Sequence, residues 1–428
     1  MAGLLRIAAL ACVGCVLGPM RSSAQTYEIR DSAGVEIVTS GPRDPTGPSR
    51  LALSAEPEVT IGALDGAEPY LFGQVWDALR LPDGRVVVVE GMIHEIRVFD
   101  DEGRHEVSFG RRGGGPEEFG GPPWIELISP DTLLVWDPGH QRLSRYSLSG
   151  GLFDQTTLRE TVFGLGITPF PNGLVWATSP EGSVLWKGPY LVRQGEGLNN
   201  QHRSLIRVDP GGGNVDLGRR ISGQVYNLSS PEGGLRGIRN WFGPATYAEL
   251  GRGGDVWVSD PEQHEVRTYS ADGSLARVLR GGVPRAVVTD ALVDSARAQL
   301  PEMSTGLRMP LRLLERAFDE IPVPDSVPAV GALKRGADGR MWVGRRRGLS
   351  WTRKPVDQFD VFGSDGRWLG TVRLPDDATE LLYAGENHVV VTAMDELEVQ
   401  YVRVYAIVEG DPSWNADHSC SAALVQTE

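Results

Sequence analysis

The amino-acid sequence predicts an all-β fold, a six-bladed β-propeller whose blades each hold four antiparallel strands. Three observations predict it: a pair of short strands recurs six times, a turn rich in Gly, Asp or Asn precedes each pair, and a spare N-terminal strand remains where the last unit lacks one. A chain of 428 residues would ordinarily suggest two or three domains. Because the repeat runs through most of the chain, we predict a single ring instead.

The recurring unit consists of a turn, a short apolar strand, a polar turn and a second strand that ends on an aromatic or aliphatic residue. The apolar strands occupy residues 86–89, 133–136, 174–176, 256–258, 341–343 and 389–391. The second strands end at Phe99, Tyr146, Val208, Tyr269, Phe362 and Tyr405. A leading strand precedes the first unit, and a further apolar run follows most of the units, so each unit predicts the four strands of a propeller blade.

The sixth unit has no clear fourth strand, whereas residues 58–62 form a strand that belongs to no unit. We predict that this N-terminal strand completes the last blade, which would close the ring without an open sheet edge. The predicted organisation is a signal peptide over 1–24, a hairpin and linker over 25–50, the propeller over 51–410 and a tail over 411–428.

Residues 287–318 interrupt the β pattern between blades four and five. Thr289 or Asp290 can cap a helix, and Leu311, Leu314 and Phe318 recur at helical spacing. The segment predicts a helical insertion, which either covers one end of the central channel or packs on the rim.

Residues 1–24 are arranged like a secretory signal, with Arg6 before an apolar stretch and Ser22, Ser23 and Ala24 before the cleavage point. About a dozen apolar residues are too few for a membrane span, which needs roughly 20. The cysteines in this stretch lack the leading Leu of a lipidation box, so a lipoprotein is not favoured. The sequence predicts export to the periplasm or the extracellular space.

A formal net charge of −14 argues against nucleic acid as a partner. Of the three cysteines, Cys12 and Cys15 lie in the predicted signal, which leaves Cys420 and excludes an internal disulfide.

The second unit has Asp137, His140 and Arg142 before Tyr146, and the fourth has Asp260, His264 and Tyr269 in the same order. This pattern resembles the units of the NHL-repeat and TolB-like superfamily of six-bladed propellers. The resemblance covers nearly all of the chain after the signal and implies fold more than function, because the superfamily holds lyases, lactonases, esterase-like hydrolases and binding modules.

No catalytic set can be assigned from motifs. His94, His105 and His264 each precede Glu, but Val98, Phe109 and Thr268 stand where a zinc protease motif needs its second His. The sequence also lacks a Gly-x-Ser-x-Gly nucleophile motif and a Walker phosphate loop. The catalytic residues are therefore unknown, and no metal ligands are assigned.

Arg345, Arg346, Arg347 and Trp351 concentrate positive charge in an acidic chain, and we predict them as a binding site for a carboxylate or sulfate group. The alternative is a solvated loop. The glycine run 113–115 beside Arg111 and Arg112 could form an anion-binding nest or a flexible link between blades.

Two functions remain open. One is an exported binding module for a protein, peptide, glycan or small molecule, bound on the loop face or in the central channel. The other is a channel-centred hydrolase or lyase, lactonase-like, esterase-like or amidating-lyase-like, with calcium as a conceivable cofactor. Asp77 lies on a leading strand and could face the channel, although no partner for it can be named. An enzyme should show converging carboxylates or His in a deep channel, and a binding module a filled channel.

Overall fold

The structure is a computed structural model that describes residues 26–41, 49–158, 175–188, 195–229, 235–261, 265–281, 285–346 and 356–410. Strands dominate these ranges and group into six sheets. The predicted signal peptide, the C-terminal tail, and Arg347 and Trp351 of the predicted anion site lie outside the described residues.

Four strands come from the N-terminal part of the chain and join sheets that form later in the sequence. They are β1 (Thr26–Ser32), β2 (Val35–Gly41), β3 (Leu51–Leu53) and β4 (Val59–Ile61). A 3-10 turn at Glu68–Tyr70 follows them.

The first two sheets each contain four antiparallel strands in chain order. The first consists of β5 (Val75–Arg80), β6 (Val86–Glu90), β7 (Glu95–Phe99) and β8 (His105–Phe109). The second consists of β9 (Trp124–Ser129), β10 (Thr132–Asp137), β11 (Arg142–Ser147) and β12 (Leu152–Thr157).

The third and fourth sheets are larger. The third consists of β13 (Val175–Thr178), β14 (Val184–Lys187), β15 (Gly197–Val208), β16 (Asn214–Ser229) and β17 (Leu235–Arg239). The fourth consists of β18 (Ala248–Leu250), β19 (Val256–Asp260), β20 (Glu265–Tyr269) and β21 (Leu275–Gly281), followed outward by β2 and β1. A 3-10 turn at Arg252–Gly254 joins β18 to β19.

The fifth sheet consists of β22 (Val330–Arg335), β23 (Met341–Arg346), β24 (Val356–Phe362) and β25 (Trp368–Arg373). The sixth consists of β26 (Ala378–Ala384), β27 (His388–Met394) and β28 (Gln400–Glu409). Both β3 and β4 pair antiparallel with β28, so the outer part of this last sheet is built from N-terminal residues.

The first strands of the sheets lie side by side around a common centre. β5 contacts β9 and β26, β18 contacts β13 and β22, and β22 contacts β26. Sheets that radiate from a ring of first strands are the arrangement of a β-propeller, which is the fold class that the sequence predicts.

Apolar residues hold neighbouring sheets together face to face. The strand β6 is buried along its whole length, as expected for a strand covered on both sides. One cluster joins Val87 and Val98 of the first sheet to Leu133 and Tyr146 of the second. The repeated apolar strands therefore supply the cores between the sheets, and the buried Trp136, Trp257 and Trp342 belong to these cores.

Three short helices follow β21 and precede β22. They are α1 (Asp290–Ala298), α2 (Leu300–Leu307) and α3 (Leu311–Glu320). The Thr289 hydroxyl accepts a hydrogen bond from the Leu292 amide at 3.2 Å and caps α1. Leu314 and Phe318 of α3 pack with Leu228 and Ile238 of the third sheet, so the helices lie against that sheet.

One strand assignment made from the sequence is wrong. Residues 174–176 were expected to follow the turn of the third unit, but Val175–Thr178 is the first strand of the third sheet. The strand that follows the turn is β14, which begins after the left-handed Gly182. Both positions follow a Pro and a Gly in the sequence, so turn chemistry alone could not separate them.

Candidate functional site

Five ionisable side chains line a cavity at the centre of the ring. They come from the first strands of four sheets: Asp77 from β5, Glu126 from β9, Glu249 from β18, and Lys334 and Arg335 from β22. The cavity contains about 720 Å³ of space free of protein atoms, part of it open to solvent. We call it the central cavity.

The strand register places three of these residues at one level. Glu126 pairs with Leu134, Glu249 with Trp257 and Lys334 with Trp342. Each partner is the second residue of its apolar strand in the repeat, so the three side chains occupy the same position in different sheets.

Asp77 joins the first sheet to the second. Its Oδ1 accepts a hydrogen bond from the Ala78 amide at 2.9 Å, and its Oδ2 accepts one from the Ile125 amide at 3.0 Å. Burial raises the pKa of Asp77 to about 7, although these backbone hydrogen bonds and Lys334 favour the ionised form. The side chain keeps some accessible surface, which faces the cavity rather than bulk solvent.

Arg335 and Glu126 link the fifth sheet to the second. The Arg335 Nη2 atom lies 2.6 Å from Glu126 Oε2, and both side chains are largely enclosed, with 8% and 17% of their surface exposed. Burial works against the charge on Arg335, but its acidic neighbours, led by Glu126, outweigh burial and raise the pKa of Arg335. This ion pair fills part of the channel and ties together sheets that are not neighbours in the ring.

Glu249 and Lys334 are bound less completely. The Glu249 Oε1 atom accepts a hydrogen bond from the adjacent Leu250 amide at 3.0 Å, and within the described ranges Oε2 has no hydrogen-bond partner. The Lys334 Nζ atom lies 3.9 Å from Glu380 Oε1, too far for a hydrogen bond, and the described residues offer it no hydrogen-bond partner. Burial raises the pKa of Glu249 to about 7, against the attraction of Arg335 and Lys334.

The remaining lining is partly aromatic. Trp124 and Tyr383 border the cavity beside Thr178 and several small apolar residues. The Trp124 ring meets that of Trp76 edge to face, with centroids 5.5 Å apart, which fixes its orientation. The site thus combines charged groups with a rigid apolar surface, a common make-up of small-molecule sites.

Calcium does not fit this set of residues. Calcium takes six to eight oxygen ligands, and here the carboxylates share the cavity with the cations Lys334 and Arg335. Across the part of the chain that the structure describes, no group of three or more His, Cys, Asp or Glu is arranged to hold a metal ion. We therefore assign no step to calcium.

No protein-family model and no curated protein matches the sequence. Among solved structures, virginiamycin B lyase from Staphylococcus aureus is 9% identical with a TM-score of 0.38, and covers 84% of this chain and 100% of its own. A gluconolactonase from Xanthomonas campestris is 13% identical with a TM-score of 0.35, and covers 85% of this chain and 99% of its own.

A member of the DUF4221 family from Bacteroides vulgatus is 9% identical with a TM-score of 0.45, and covers 84% of this chain and 99% of its own. At these identities and scores the likeness transfers no function. The fold assignment rests on the six sheets and the contacts of their first strands.

The predicted anion site at Arg345, Arg346, Arg347 and Trp351 is described only for its first two residues. The Arg345 guanidinium forms two hydrogen bonds of 2.7 Å with Asp360 and is buried. Arg346 donates to the Trp241 and Gly243 carbonyls at 2.8 and 2.9 Å. These donors are directed into the protein, so the site stays a prediction and does not enter the function proposed below.

The glycine run forms a nest that is filled by the chain itself. The Gly114 and Gly115 amides both donate to Glu118 Oε2 at 2.8 Å, and Arg111 pairs with the other carboxylate oxygen. These hydrogen bonds, first that of Gly115, lower the pKa of Glu118. The anion in this nest is therefore the carboxylate of Glu118 from the same segment.

The residues that resemble NHL units also bind the chain itself. Asp137 accepts hydrogen bonds from the Gly120 and Gly139 amides and lies 2.6 Å from His140 Nδ1. Arg142 donates to the Gly115 carbonyl at 3.0 Å and to that of Glu118. We call Asp137, His140, Arg142 and the segment 110–123 the connector network.

Sequence reasoning singled out Asp77 for the channel but missed four residues, Glu126, Glu249, Lys334 and Arg335. A signal existed for three of them, because Glu126, Glu249 and Lys334 are polar residues of a leading strand that lie opposite the second residue of the repeated apolar strand. It required the pairing register of each leading strand, which spacing along the chain does not supply.

Proposed function

We propose that this protein is an exported, six-bladed β-propeller that binds a small hydroxyl-bearing molecule in the central cavity, with Glu249 and Lys334 as the contact groups. The observation that carries the proposal is that Glu249 Oε2 and Lys334 Nζ border the cavity without a hydrogen-bond partner among the described residues. Neither atom is fully buried, and the Lys334 side chain is 27% exposed, so both atoms can be reached by a ligand or by water.

The chemistry of the cavity selects the ligand class. Lys334 and Arg335 carry positive charge, Glu126 is paired, and Asp77 and Glu249 have pKa values of about 7, so the cavity is close to neutral at physiological pH. An ammonium that donates and a carboxyl that can accept or donate suit hydroxyl groups. The Trp124 ring offers an apolar face to the carbon skeleton. Hydrogen-bonding groups beside an apolar ring suit a sugar or a related polyol.

The proposal also includes that the propeller has six blades and that the protein is exported. Six sheets radiate from the ring, and the strand β4 pairs within the last of them. We place the helical insertion between the fourth and fifth blades and the propeller within 51–410. For export, support comes from the sequence of residues 1–24, and the described residues contain no helix that is long and apolar enough to cross a membrane. Mass spectrometry of the periplasmic protein should give Gln25 as the first residue.

Ligand binding is tested by thermal unfolding against a panel of neutral monosaccharides, polyols and amino acids. A ligand at about 100 times its Kd adds roughly 2.7 kcal/mol to the stability of the folded state, a shift of several degrees in Tm. We expect a sugar or polyol to raise Tm, and Lys334→Met and Glu249→Gln each to abolish the shift. The matched control is Glu386→Gln, whose side chain is exposed and does not line the cavity. Shifts that survive both cavity variants would exclude this site.

A second candidate is catalysis at the same cavity. It is favoured by Asp77 and Glu249, whose pKa values of about 7 suit general acid and base catalysis near neutral pH. The test is an assay for hydrolysis of a sugar lactone, in which the release of acid is measured. The rate should change with pH around a pKa near 7, and this change should disappear in Glu249→Gln. A ligand that binds without being hydrolysed would favour the binding module instead.

A further inference from the structure

The outermost strand of the fourth sheet has an open edge. Within the described residues, β1 pairs with β2 on one side and with no strand on the other. It is seven residues long, and Ile29 at its middle is 48% exposed. Open edges of this length are sites where a further strand can add, by backbone hydrogen bonds.

The edge is held in place by contacts on both sides of the hairpin. The strand β2 pairs in parallel with β21, and the Ser40 hydroxyl accepts a hydrogen bond from the Trp368 amide at 2.8 Å. The Arg367 guanidinium lies 4.3 Å from the centre of the Tyr27 ring. A preformed edge of this kind costs little ordering when a partner binds.

The hairpin geometry determines which backbone groups face outward. Ala33 and Gly34 form its two-residue turn with φ values of 55° and 82°, the left-handed pair of a type I′ turn. The flanking residues of such a turn, Ser32 and Val35, form a hydrogen-bonded pair, and bonded and non-bonded pairs then alternate along the ladder.

Since bonded pairs alternate from Ser32, the backbone groups of Arg30 and Glu28 form hydrogen bonds with β2. The backbone N–H and C=O groups of Tyr27, Ile29 and Asp31 therefore point to the open edge. These three residues are available to hydrogen-bond a new antiparallel strand.

We propose that this edge pairs with the same edge of a second copy of the chain, antiparallel, with the two-fold axis at Ile29. In this register Ile29 faces Ile29 and Tyr27 faces Asp31, which are the residues with outward backbone groups. Glu28 of each copy then lies directly opposite Arg30 of the other, as a non-hydrogen-bonded pair with closely spaced side chains.

Charge selects this register over its neighbours. An axis at Glu28 would place two glutamates opposite each other, and an axis at Arg30 would oppose two arginines. An axis at Asp31 would oppose two aspartates. Only the axis at Ile29 gives two Glu–Arg pairs and buries the exposed Ile29 side chains against each other. The two fourth sheets would form one continuous sheet across the dimer.

The test is the oligomeric state of the purified protein, measured by sedimentation velocity between about 1 µM and about 1 mM, because an interface of one strand pair is small. We expect a monomer–dimer equilibrium. Glu28→Arg should weaken the dimer about tenfold by replacing both attractive pairs with repulsive ones. The double variant Glu28→Arg with Arg30→Glu restores opposite charges in the same register and should return the Kd to within about threefold.

A backbone variant separates edge pairing from any other contact. Ile29→Pro removes an N–H that points outward and spares the hydrogen bonds between β1 and β2, so the fold should persist and the dimer should be lost. A protein that stays monomeric over the whole range overturns the proposal. A dimer that is unaffected by Ile29→Pro, or that the double charge reversal fails to restore, overturns it as well.

Discussion

The connector network and the central cavity both enclose charged side chains, yet they use them differently. In the connector network, Asp137 and Arg142 are buried and pair with each other, and backbone amides and carbonyls of the segment 110–123 and of Gly139 bind most of their polar atoms. Among the described residues, only Arg142 Nε of this pair has no hydrogen-bond partner. In the central cavity, Glu249 and Lys334 each keep an atom with no hydrogen-bond partner in the described part of the chain. Partners, more than burial, therefore separate a structural charged group from one that is available to a ligand.

The first sheet also contains an acid and an arginine that bind backbone groups, as the connector network does. Glu90 accepts hydrogen bonds from the Gly73 and Gln74 amides at 2.9 Å and from the Ile93 amide at 2.8 Å. Its neighbour Arg97, 1% exposed, donates to three backbone carbonyls of the segment 68–71. An acid and an arginine that bind the backbone of a connecting segment therefore occur in both of the first two sheets.

The largest effect is expected from the connector network. Asp137→Ala leaves the Gly120 and Gly139 amides and the Arg142 guanidinium without their acceptor, so we expect a loss of about 3–5 kcal/mol in the free energy of unfolding. Urea denaturation of the variant measures it. Asp131→Ala, at an exposed turn of the same sheet, is the control and should change stability by less than about 1 kcal/mol. Equal losses in the two variants would mean that Asp137 contributes no more to stability than an exposed turn residue does.

A smaller effect, with a distinct pH signature, is expected from the cavity. The pKa of Glu249 rises from 4.5 to about 7 on folding, so the folded state binds its proton more tightly than the unfolded chain. Its contribution to stability is fully present below pH 4.5 and is lost as the pH rises through about 7.

Glu249→Gln removes this dependence. We expect the variant to be more stable than the parent protein above pH 7, by about 1–3 kcal/mol, and the difference to vanish or reverse near pH 4.5. Chemical denaturation at a series of pH values measures the difference. The exposed Glu386→Gln should show no such crossing, and a Glu249→Gln variant that parallels the parent at every pH would refute the raised pKa.

The smallest effect is expected at the glycine nest. Glu118→Gln keeps an acceptor but removes the charge that Arg111 and the Gly114 and Gly115 amides bind. We expect faster hydrogen exchange at these two amides with little change in Tm, because the nest is at the surface. Unchanged exchange would mean that the backbone alone holds the loop.

The fold could be predicted from the sequence because its signals are local. Turn residues, short apolar strands and their spacing repeat within each blade, and they predicted five of the six apolar strands in the right place. The third unit failed because Pro171 to Gly173 imitates the turn that Pro180 to Gly182 supplies. The N-terminal strand was found from a mismatch at the two ends of the repeat, and β4 indeed pairs with β28.

The site could not be predicted in the same way, because its residues are brought together only by ring closure. Glu126, Glu249 and Lys334 lie on strands of different sheets, and nothing in their sequence surroundings sets them apart. The arginine run stays a prediction of a binding site. The structure adds that Arg345 pairs with Asp360 on the neighbouring strand β24, a contact that spacing along the chain does not reveal.

One measurement tests the distinction between the two regions directly: the free energy of unfolding of Arg142→Met and Lys334→Met at neutral pH. Both replace a cation by an apolar side chain of similar length. We expect a loss of about 3 kcal/mol or more for Arg142→Met, because buried Asp137 and the connector carbonyls lose their partner. For Lys334→Met we expect a change below about 1 kcal/mol. Equal losses in both variants would mean that Lys334 is as structural as Arg142, and would contradict a ligand site in the central cavity.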